Sequence, residues 1–226
     1  MKQRPIIFNT EMVRAIIDGR KTQTRRPAKN ISFSENGGFV AEVGGKTWMH
    51  GLGVDHKSTM QNILKSKYGP NVFKGDQLYV RETWRKFNSS DECGCSESPC
   101  SCPSNGTVLF KASHDDGESK WKPSIHMPRW AARIIIEVTD VRVERLSDIS
   151  EQNAKAEGIN SVTFRDECLG LCEGFTHQKD DGKCQLARSA KRAFLNLWDS
   201  IYSNSDDNPW VWVIKFKVIS TKGGEA

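Results

Sequence analysis

The first pattern along the chain is a short amphipathic helix that leads directly into a basic segment. Four apolar residues recur at the spacing of one helical face: Met12, Val13, Ile16 and Ile17. Thr10 is a candidate N-cap and Gly19 is typical of a helix end, so the pattern predicts a helix over Glu11–Asp18. The basic segment Gly19–Arg26 follows at once, and Pro27 ends it.

Strand patterns dominate the rest of the chain. Four segments alternate in polarity or are rich in β-branched residues: Gln77–Trp84, Val108–Ala112, Arg133–Val143 and Trp210–Val218. Two more helices are predicted, over Leu146–Gly158 with Ser147 or Ser150 as cap, and over Leu186–Ile201. Strands and helices do not alternate as they do around a parallel sheet. The pattern therefore predicts an α+β fold, mainly β, built as a small closed or partly open barrel with short flanking helices.

Three weakly patterned stretches interrupt these elements, at about residues 30–70, 88–106 and 160–186. They are rich in Gly, Ser, Pro or Cys, which is typical of loops. The first could hold a short hairpin and a short helix near Met60–Lys65. We expect a single domain over residues 1–226 that carries these stretches as long insertions.

The charge of the chain is unevenly distributed. The first 30 residues carry eight Lys and Arg against two acidic residues, a net +6, whereas the whole chain has a net charge of only +5. A local basic patch on a nearly neutral body favours a polyanionic partner such as RNA. The alternative is a solvated N-terminal face that binds nothing.

Neither a membrane span nor a secretion signal is evident. No apolar stretch approaches the roughly 18 residues that cross a bilayer. The apolar part of Met1–Phe8 is too short for a signal peptide. A cytoplasmic location is therefore expected, in which the seven cysteines would be reduced thiols.

The seven cysteines fall into two clusters, the second of which also contains a histidine. The first is Cys93, Cys95, Cys100 and Cys102, and the second is Cys168, Cys172, His177 and Cys184. Four thiols on a loop without a core of its own predict a structural zinc site, and the second cluster is similar to a zinc knuckle with altered gaps. A site shared between the clusters and free exposed thiols are the alternatives. No pattern indicates an organic cofactor.

The basic segment also contains a candidate reactive pair. Lys21 and Thr24 are three residues apart, so an ideal strand would direct them to opposite faces, and they converge only if the chain turns between them. An unprotonated amine can take the proton of a hydroxyl nucleophile. The lysine pKa must then fall from about 10.4 to about 7–8, which burial and the neighbouring Arg20, Arg25 and Arg26 would favour. A loop that only contacts phosphate is equally compatible with these residues.

The helix and the motif Gly19-Arg20-Lys21-Thr22-x-Thr24-x-Arg26 together resemble the signature of the ASCH family, whose fold is a PUA-like β-barrel. The resemblance extends to the Gly75-Asp76 turn, to Leu146–Gly158 and to the last strand. Phage-encoded members are especially similar over three runs: Val80–Trp84, Ile125–Trp130 and Asn208–Trp212. The resemblance implies a PUA-like barrel with the insertions described above.

Small bacterial ASCH proteins include amidohydrolases that remove the acetyl group of N4-acetylcytidine with a Lys, a Thr and a Glu. The resemblance places these roles on Lys21, Thr24 and Glu157. Thr24 would attack the amide carbonyl, Lys21 would activate it, and Glu157 would orient the pair or handle protons. The chain is about twice as long as those enzymes, so its insertions could open or block the cleft.

Aromatic side chains could form the wall of a nucleic-acid-binding cleft, because bases stack on them. Trp84 lies near a strand end, and Trp130 follows a Pro-flanked segment with His126 and Arg129. Packing in the core is the alternative for both tryptophans.

Three classes of function are therefore compatible with the sequence. The chain could bind RNA or a modified nucleoside in a basic cleft, or hydrolyse N4-acetylcytidine to cytidine. It could also be a phage accessory or assembly protein that uses the barrel as a protein-interaction scaffold.

Overall fold

The computed structural model describes residues 3–28, 31–33, 39–43, 46–50, 70–95, 100–166, 170–179 and 185–221. The chain divides into two compact units. The first unit comprises Met1–Asp18, Gln77–Ile136 and Val218–Ala226, and the second comprises Gly19–Asp76 and Glu137–Lys217.

Twelve strands and five α-helices lie in the described residues. The strands are β1 Arg4–Ile7, β2 Gln23–Pro27, β3 Ile31–Phe33, β4 Phe39–Val43, β5 Lys46–His50, β6 Gln77–Arg81, β7 Trp84–Lys86, β8 Val108–Phe110, β9 Ile135–Arg145, β10 Asn160–Asp166, β11 Gly170–Thr176 and β12 Trp210–Ser220. The helices are α1 Thr10–Ile17, α2 Ser89–Glu92, α3 Lys111–His114, α4 Glu151–Ala156 and α5 Ala190–Tyr202.

The strands pair into four sheets. The hydrogen-bonded orders are β1-β6-β9-β12-β2, β3-β4-β5, β7-β8 and β10-β11. β1 and β6 run parallel, whereas β2 and β12 run antiparallel with Thr24 opposite Ile214. The prediction of an α+β fold with mostly strands is therefore confirmed, and the barrel stays a prediction.

The first unit has an aromatic core beside the β7–β8 pair. Six residues form this buried cluster: Tyr79, Trp84, Phe110, Met127, Ala131 and Ala132. Trp84 lies opposite Phe110 in the strand register. Two short 3-10 turns, Ser124–His126 and Arg129–Ala131, begin directly after Pro123 and Pro128, and these two prolines disfavour a longer helix.

Helix caps determine where the predicted helices begin. α1 begins at Thr10, because the side chain of Asn9, and not Thr10, accepts the Met12 N–H at 2.8 Å. Its end is followed by Gly19 with φ of +74°, a conformation that glycine adopts without strain. α4 is capped by Ser150, which accepts the Asn153 N–H at 3.2 Å.

The prediction of a loop over residues 160–186 was wrong, because β10 and β11 form an antiparallel pair there. Both strands are polar and expose apolar side chains such as Leu171, so they lack the hydrophobic alternation that marks a half-buried strand. Residues 31–50 contain the three strands of the second sheet in place of the expected hairpin. The helix expected near Met60–Lys65 lies outside the described residues.

Within the described parts of the chain, none of the helices is both long and apolar enough to cross a membrane.

Candidate functional site

The segment before β2 is joined to the end of α4 in the second unit. Lys21 and Glu157 form an isolated antiparallel bridge, and the Thr22 N–H donates to the Ala156 carbonyl at 2.9 Å. Glu157 itself caps the C-terminus of α4. The backbone therefore places these two side chains together, although they are 136 residues apart in the sequence.

Lys21, Arg25 and Glu157 form a buried ionic network. The Lys21 Nζ donates to the Glu157 carbonyl at 2.6 Å and to its Oε2 at 3.2 Å. Arg25 donates to Glu157 Oε1 at 2.9 Å and to Glu144 Oε2 at 2.9 Å. The Lys21 and Arg25 side chains are 0% exposed and that of Glu157 is 3% exposed. We call these four residues the Lys21 network.

Thr24 is separated from the Lys21 network because successive side chains of β2 point to opposite faces of the strand. Lys21, Gln23 and Arg25 all contact α4, since Gln23 donates to the Asn153 carbonyl at 2.7 Å. Successive strand side chains point to opposite faces, so Thr24 lies on the other face of β2. It is buried, with 1% of its surface exposed. Lys21 and Glu157 are thus in contact, whereas Thr24 lies in the extended strand β2, which begins at Gln23.

Burial lowers the pKa of the Lys21 ammonium below its usual value of 10.5. Glu157 opposes this shift by attraction and hydrogen bonding, while Arg26 and Arg25 add to it by repulsion. A lysine of this kind gives up its proton more readily than an exposed one, which suits a general base or a nucleophile.

The other cations of the predicted basic patch also make internal contacts. Arg20 donates to the Gly158 carbonyl at 2.8 Å. Arg26 is half-buried in β2. The charge excess of the first 30 residues is therefore partly neutralised by Glu144 and Glu157, which lie far along the chain.

A different set of cations is exposed in the first unit, around Trp130. Trp130 is 58% exposed, and its ring packs edge-on against that of the buried Trp84, with centroids 5.9 Å apart. The Lys86 Nζ lies 5.0 Å from the Trp130 ring centroid. His126 and Arg129, both predicted to bind nucleic acid, are exposed in the same segment. We call Lys86, His126, Arg129 and Trp130 the Trp130 surface.

The aromatic residues of the first unit hold parts of this surface in place. The Arg129 guanidinium lies 5.1 Å from the Tyr79 ring centroid, and its Nε donates to Gln3 Oε1 at 2.8 Å. Trp84 is only 5% exposed, so its faces are used in core packing. Of the two tryptophans predicted to stack on bases, Trp130 alone presents an exposed ring.

The first cysteine cluster lies together on the loop that follows α2. The Sγ atoms of Cys93, Cys95, Cys100 and Cys102 are all within 4.8 Å of one another. The Cys95–Cys100 and Cys95–Cys102 sulfur distances are 2.8 and 3.7 Å. These four cysteines are close enough to hold a metal ion such as zinc.

Two members of the second predicted cluster, Cys168 and Cys184, lie outside the described residues. Cys172 is a partly buried residue of β11, and His177 follows that strand.

Sequence reasoning missed Lys86 and Glu144. Lys86 lies two residues after Trp84, so strand alternation could have placed it on the same side of β7. Glu144 is 119 residues from its partner Arg25, and no local pattern links the two.

No family model, curated protein or solved structure gives a significant match to this chain.

Proposed function

We propose that this chain is an RNA-binding protein of the PUA-like ASCH type that binds through the Trp130 surface. The observation that carries the proposal is the exposed Trp130 ring with the Lys86 ammonium 5.0 Å from its centroid. A base can stack on such a ring, and the adjacent cation attracts the phosphate backbone.

Stacking and charge make separate contributions at this surface. Stacking of a base on an aromatic side chain contributes about 1–3 kcal/mol and tolerates any base. Lys86 and Arg129 would add salt-dependent attraction, because bound phosphates release their counterions. The Lys21 network lacks both features, since its cations are buried and paired with carboxylates.

The test is the affinity for a short fluorescent single-stranded RNA, measured by anisotropy at low salt. Trp130→Ala should weaken binding by about 10- to 100-fold, the equivalent of roughly 1–3 kcal/mol. Leu171→Ala is the matched control, because Leu171 is 80% exposed and lies in the other unit. Both variants should melt at nearly the wild-type temperature.

Equal affinity of Trp130→Ala and wild type would contradict the proposed surface. If the wild-type protein binds no RNA at any salt concentration, the protein-interaction scaffold becomes the better explanation of the fold.

The Lys21 network supports a second candidate function, the hydrolysis of N4-acetylcytidine to cytidine and acetate. The supporting observation is a buried amine with a lowered pKa, hydrogen-bonded to the Glu157 carboxylate. Lys21 could take a proton from the attacking water or hydroxyl and pass it to the leaving amine. Both the burial of this network and the position of Thr24 would require a rearrangement before substrate reached them.

Turnover of N4-acetylcytidine by purified protein tests the second candidate directly. Cytidine should form with the wild type and be lost in Lys21→Met, while Lys215→Met serves as a lysine control in β12. Thr24→Val then separates two mechanisms: loss of turnover assigns the attack to Thr24, and retention assigns it to water. Absence of cytidine with the wild type would exclude this activity.

We further propose that the first cysteine cluster holds a structural zinc ion. Structural zinc sites are closed and tetrahedral, and Cys93, Cys95, Cys100 and Cys102 supply four thiolates. Such an ion would stabilise a loop that has no hydrophobic core of its own. The chain should contain one zinc ion by elemental analysis, which Cys100→Ser removes and Cys172→Ser retains. Zinc-free protein purified in zinc-containing buffer would contradict this assignment.

A further inference from the structure

A cleft of about 300 Å³ opens in the first unit, beside the Trp130 surface. Its lining is strongly basic and consists of Arg85, Lys86, Glu92, Ser119, Lys120 and Lys122. Lys86 belongs both to this lining and to the Trp130 surface, so the cleft and the exposed ring are adjacent. The volume is at the lower end of the range for ligand pockets, which favours a small group over a large ligand.

The three lysines of the cleft are available for an anion. Lys86, Lys120 and Lys122 are exposed, and no ion pair links any of them to a carboxylate of the described residues. Two of them are held by aromatic faces, Lys86 at Trp130 and Lys122 with its Nζ 5.4 Å from the Trp84 ring centroid. Cation–π contact leaves the N–H donors of an ammonium group free to bind a second partner.

Arg85 also lines the cleft. Only 9% of Arg85 is exposed, and its Nε has no hydrogen-bond acceptor among the described residues. Its other nitrogens pair with Glu92 and, at 3.7 Å, with Asp116. Glu92 is thus already engaged by Arg85, so the single carboxylate in the lining does not cancel the charge of the lysines.

We infer that this cleft binds a phosphate group of a single-stranded nucleic acid whose neighbouring base stacks on Trp130. A phosphate offers several charged oxygens at once, which matches the three exposed lysines in the lining of this small cleft. A base in a duplex is already stacked and paired, so stacking on Trp130 selects an unpaired strand. This inference rests on the proposed function and specifies its substrate.

The test compares the salt dependence of RNA affinity between two double variants. Lys120→Gln with Lys122→Gln removes two cleft charges, while Lys74→Gln with Lys179→Gln removes two exposed lysines of the other unit. For a single strand each lost phosphate contact lowers the slope of log affinity against log salt by about 0.7. Since the cleft holds one phosphate, the cleft variant should lose about 0.7 from its slope and bind several-fold more weakly near physiological salt. The control variant should keep the wild-type slope.

Two further measurements separate charge from folding and from stacking. Lys120→Arg with Lys122→Arg keeps both charges and should restore the wild-type slope. Trp130→Ala should weaken binding without changing the slope, because a lost stacking contact releases no counterions.

The outcomes distinguish this inference from the proposed function. An unchanged slope in the cleft variant, together with weaker binding by Trp130→Ala, would overturn the phosphate site and leave RNA binding intact. Duplex RNA of the same length that binds as tightly as the single strand would overturn the single-strand preference. Uridine monophosphate that displaces the RNA at equal nucleotide concentration would identify a free nucleotide as the ligand. Absence of any RNA binding by the wild type would overturn both proposals.

Discussion

The two basic regions of this protein differ in how their charges are used. In the second unit, Lys21 and Arg25 come from the most basic stretch of the sequence, yet both are fully buried and paired with Glu157. In the first unit, Lys86 comes from a stretch with no conspicuous charge pattern, yet it is exposed beside an exposed tryptophan. The conspicuous basic segment thus contributes its Lys21 and Arg25 side chains to a buried network, whereas the inconspicuous Lys86 lies on an exposed surface that a ligand can reach.

Charge density along a sequence is therefore a poor guide to an interface unless the partners of the charges are known. The carboxylates that neutralise the Lys21 network are supplied by β9 and by the end of α4. Charges that are buried and paired determine local structure, whereas exposed cations beside an aromatic ring can bind a polyanion.

The largest expected effect comes from removing the carboxylate that both buried cations share. Glu157→Ala removes the carboxylate that the Lys21 ammonium contacts, and it removes one of the two carboxylates that Arg25 contacts. The free energy of unfolding should fall by about 3–5 kcal/mol, as expected when a buried ion pair is broken from one side. Chemical denaturation measures this loss, and Glu173→Ala in the exposed part of β11 is the control. A loss no larger than that of the control would show that the network is not structural.

A smaller effect is expected from Arg25→Met. In this variant Glu157 still accepts a hydrogen bond from Lys21 Nζ, and Glu144 still accepts one from Arg142 Nε at 2.5 Å. Two charged hydrogen bonds are lost, but no carboxylate is left unpaired and methionine fills the buried space, so the free energy of unfolding should fall by less than the loss of about 3–5 kcal/mol expected for Glu157→Ala. Urea denaturation of this variant beside Glu157→Ala should rank the two in that order. The reverse order would contradict the account of which partner each carboxylate retains.

The pH dependence of stability should carry a signature of Lys21. The pKa of Lys21 in the folded protein is lowered below 10.5. At a pH between the folded and the unfolded pKa of Lys21, the unfolded chain therefore binds one more proton than the folded protein. The contribution of Lys21 to the free energy of unfolding should therefore rise with pH through that interval, and it is least favourable below the folded pKa. Denaturation at several alkaline pH values should show this rise in the wild type relative to Lys21→Met. Parallel pH profiles for the two proteins would contradict the lowered pKa.

The sequence predicted regular elements best where local chemistry determines them. The Ser150 cap and the β-branched run of β9 were both recognisable, because a cap and a buried strand leave marks within a few residues. The β10–β11 pair was missed because its polar strands carry no such mark.

The candidate sites were predicted less completely, for a physical reason. The meeting of Lys21 and Glu157 followed from a family resemblance and not from any spacing rule. Whether Trp84 or Trp130 would be exposed depends on what packs around each ring, and Tyr79, Phe110 and Met127 cover Trp84. Burial of this kind is decided by distant parts of the chain.

The most direct test of the central claim is the salt dependence of RNA affinity in Lys86→Gln and in Arg25→Met, measured on folded protein under identical conditions. Exposed Lys86 should contact phosphate, so its loss should reduce the slope of log affinity against log salt by up to about 0.7. Buried Arg25 should contribute nothing to that slope, although its loss lowers stability. A reduced slope in Arg25→Met with an unchanged slope in Lys86→Gln would contradict RNA binding at the Trp130 surface. It would indicate that the RNA binds at the basic segment Gly19–Arg26.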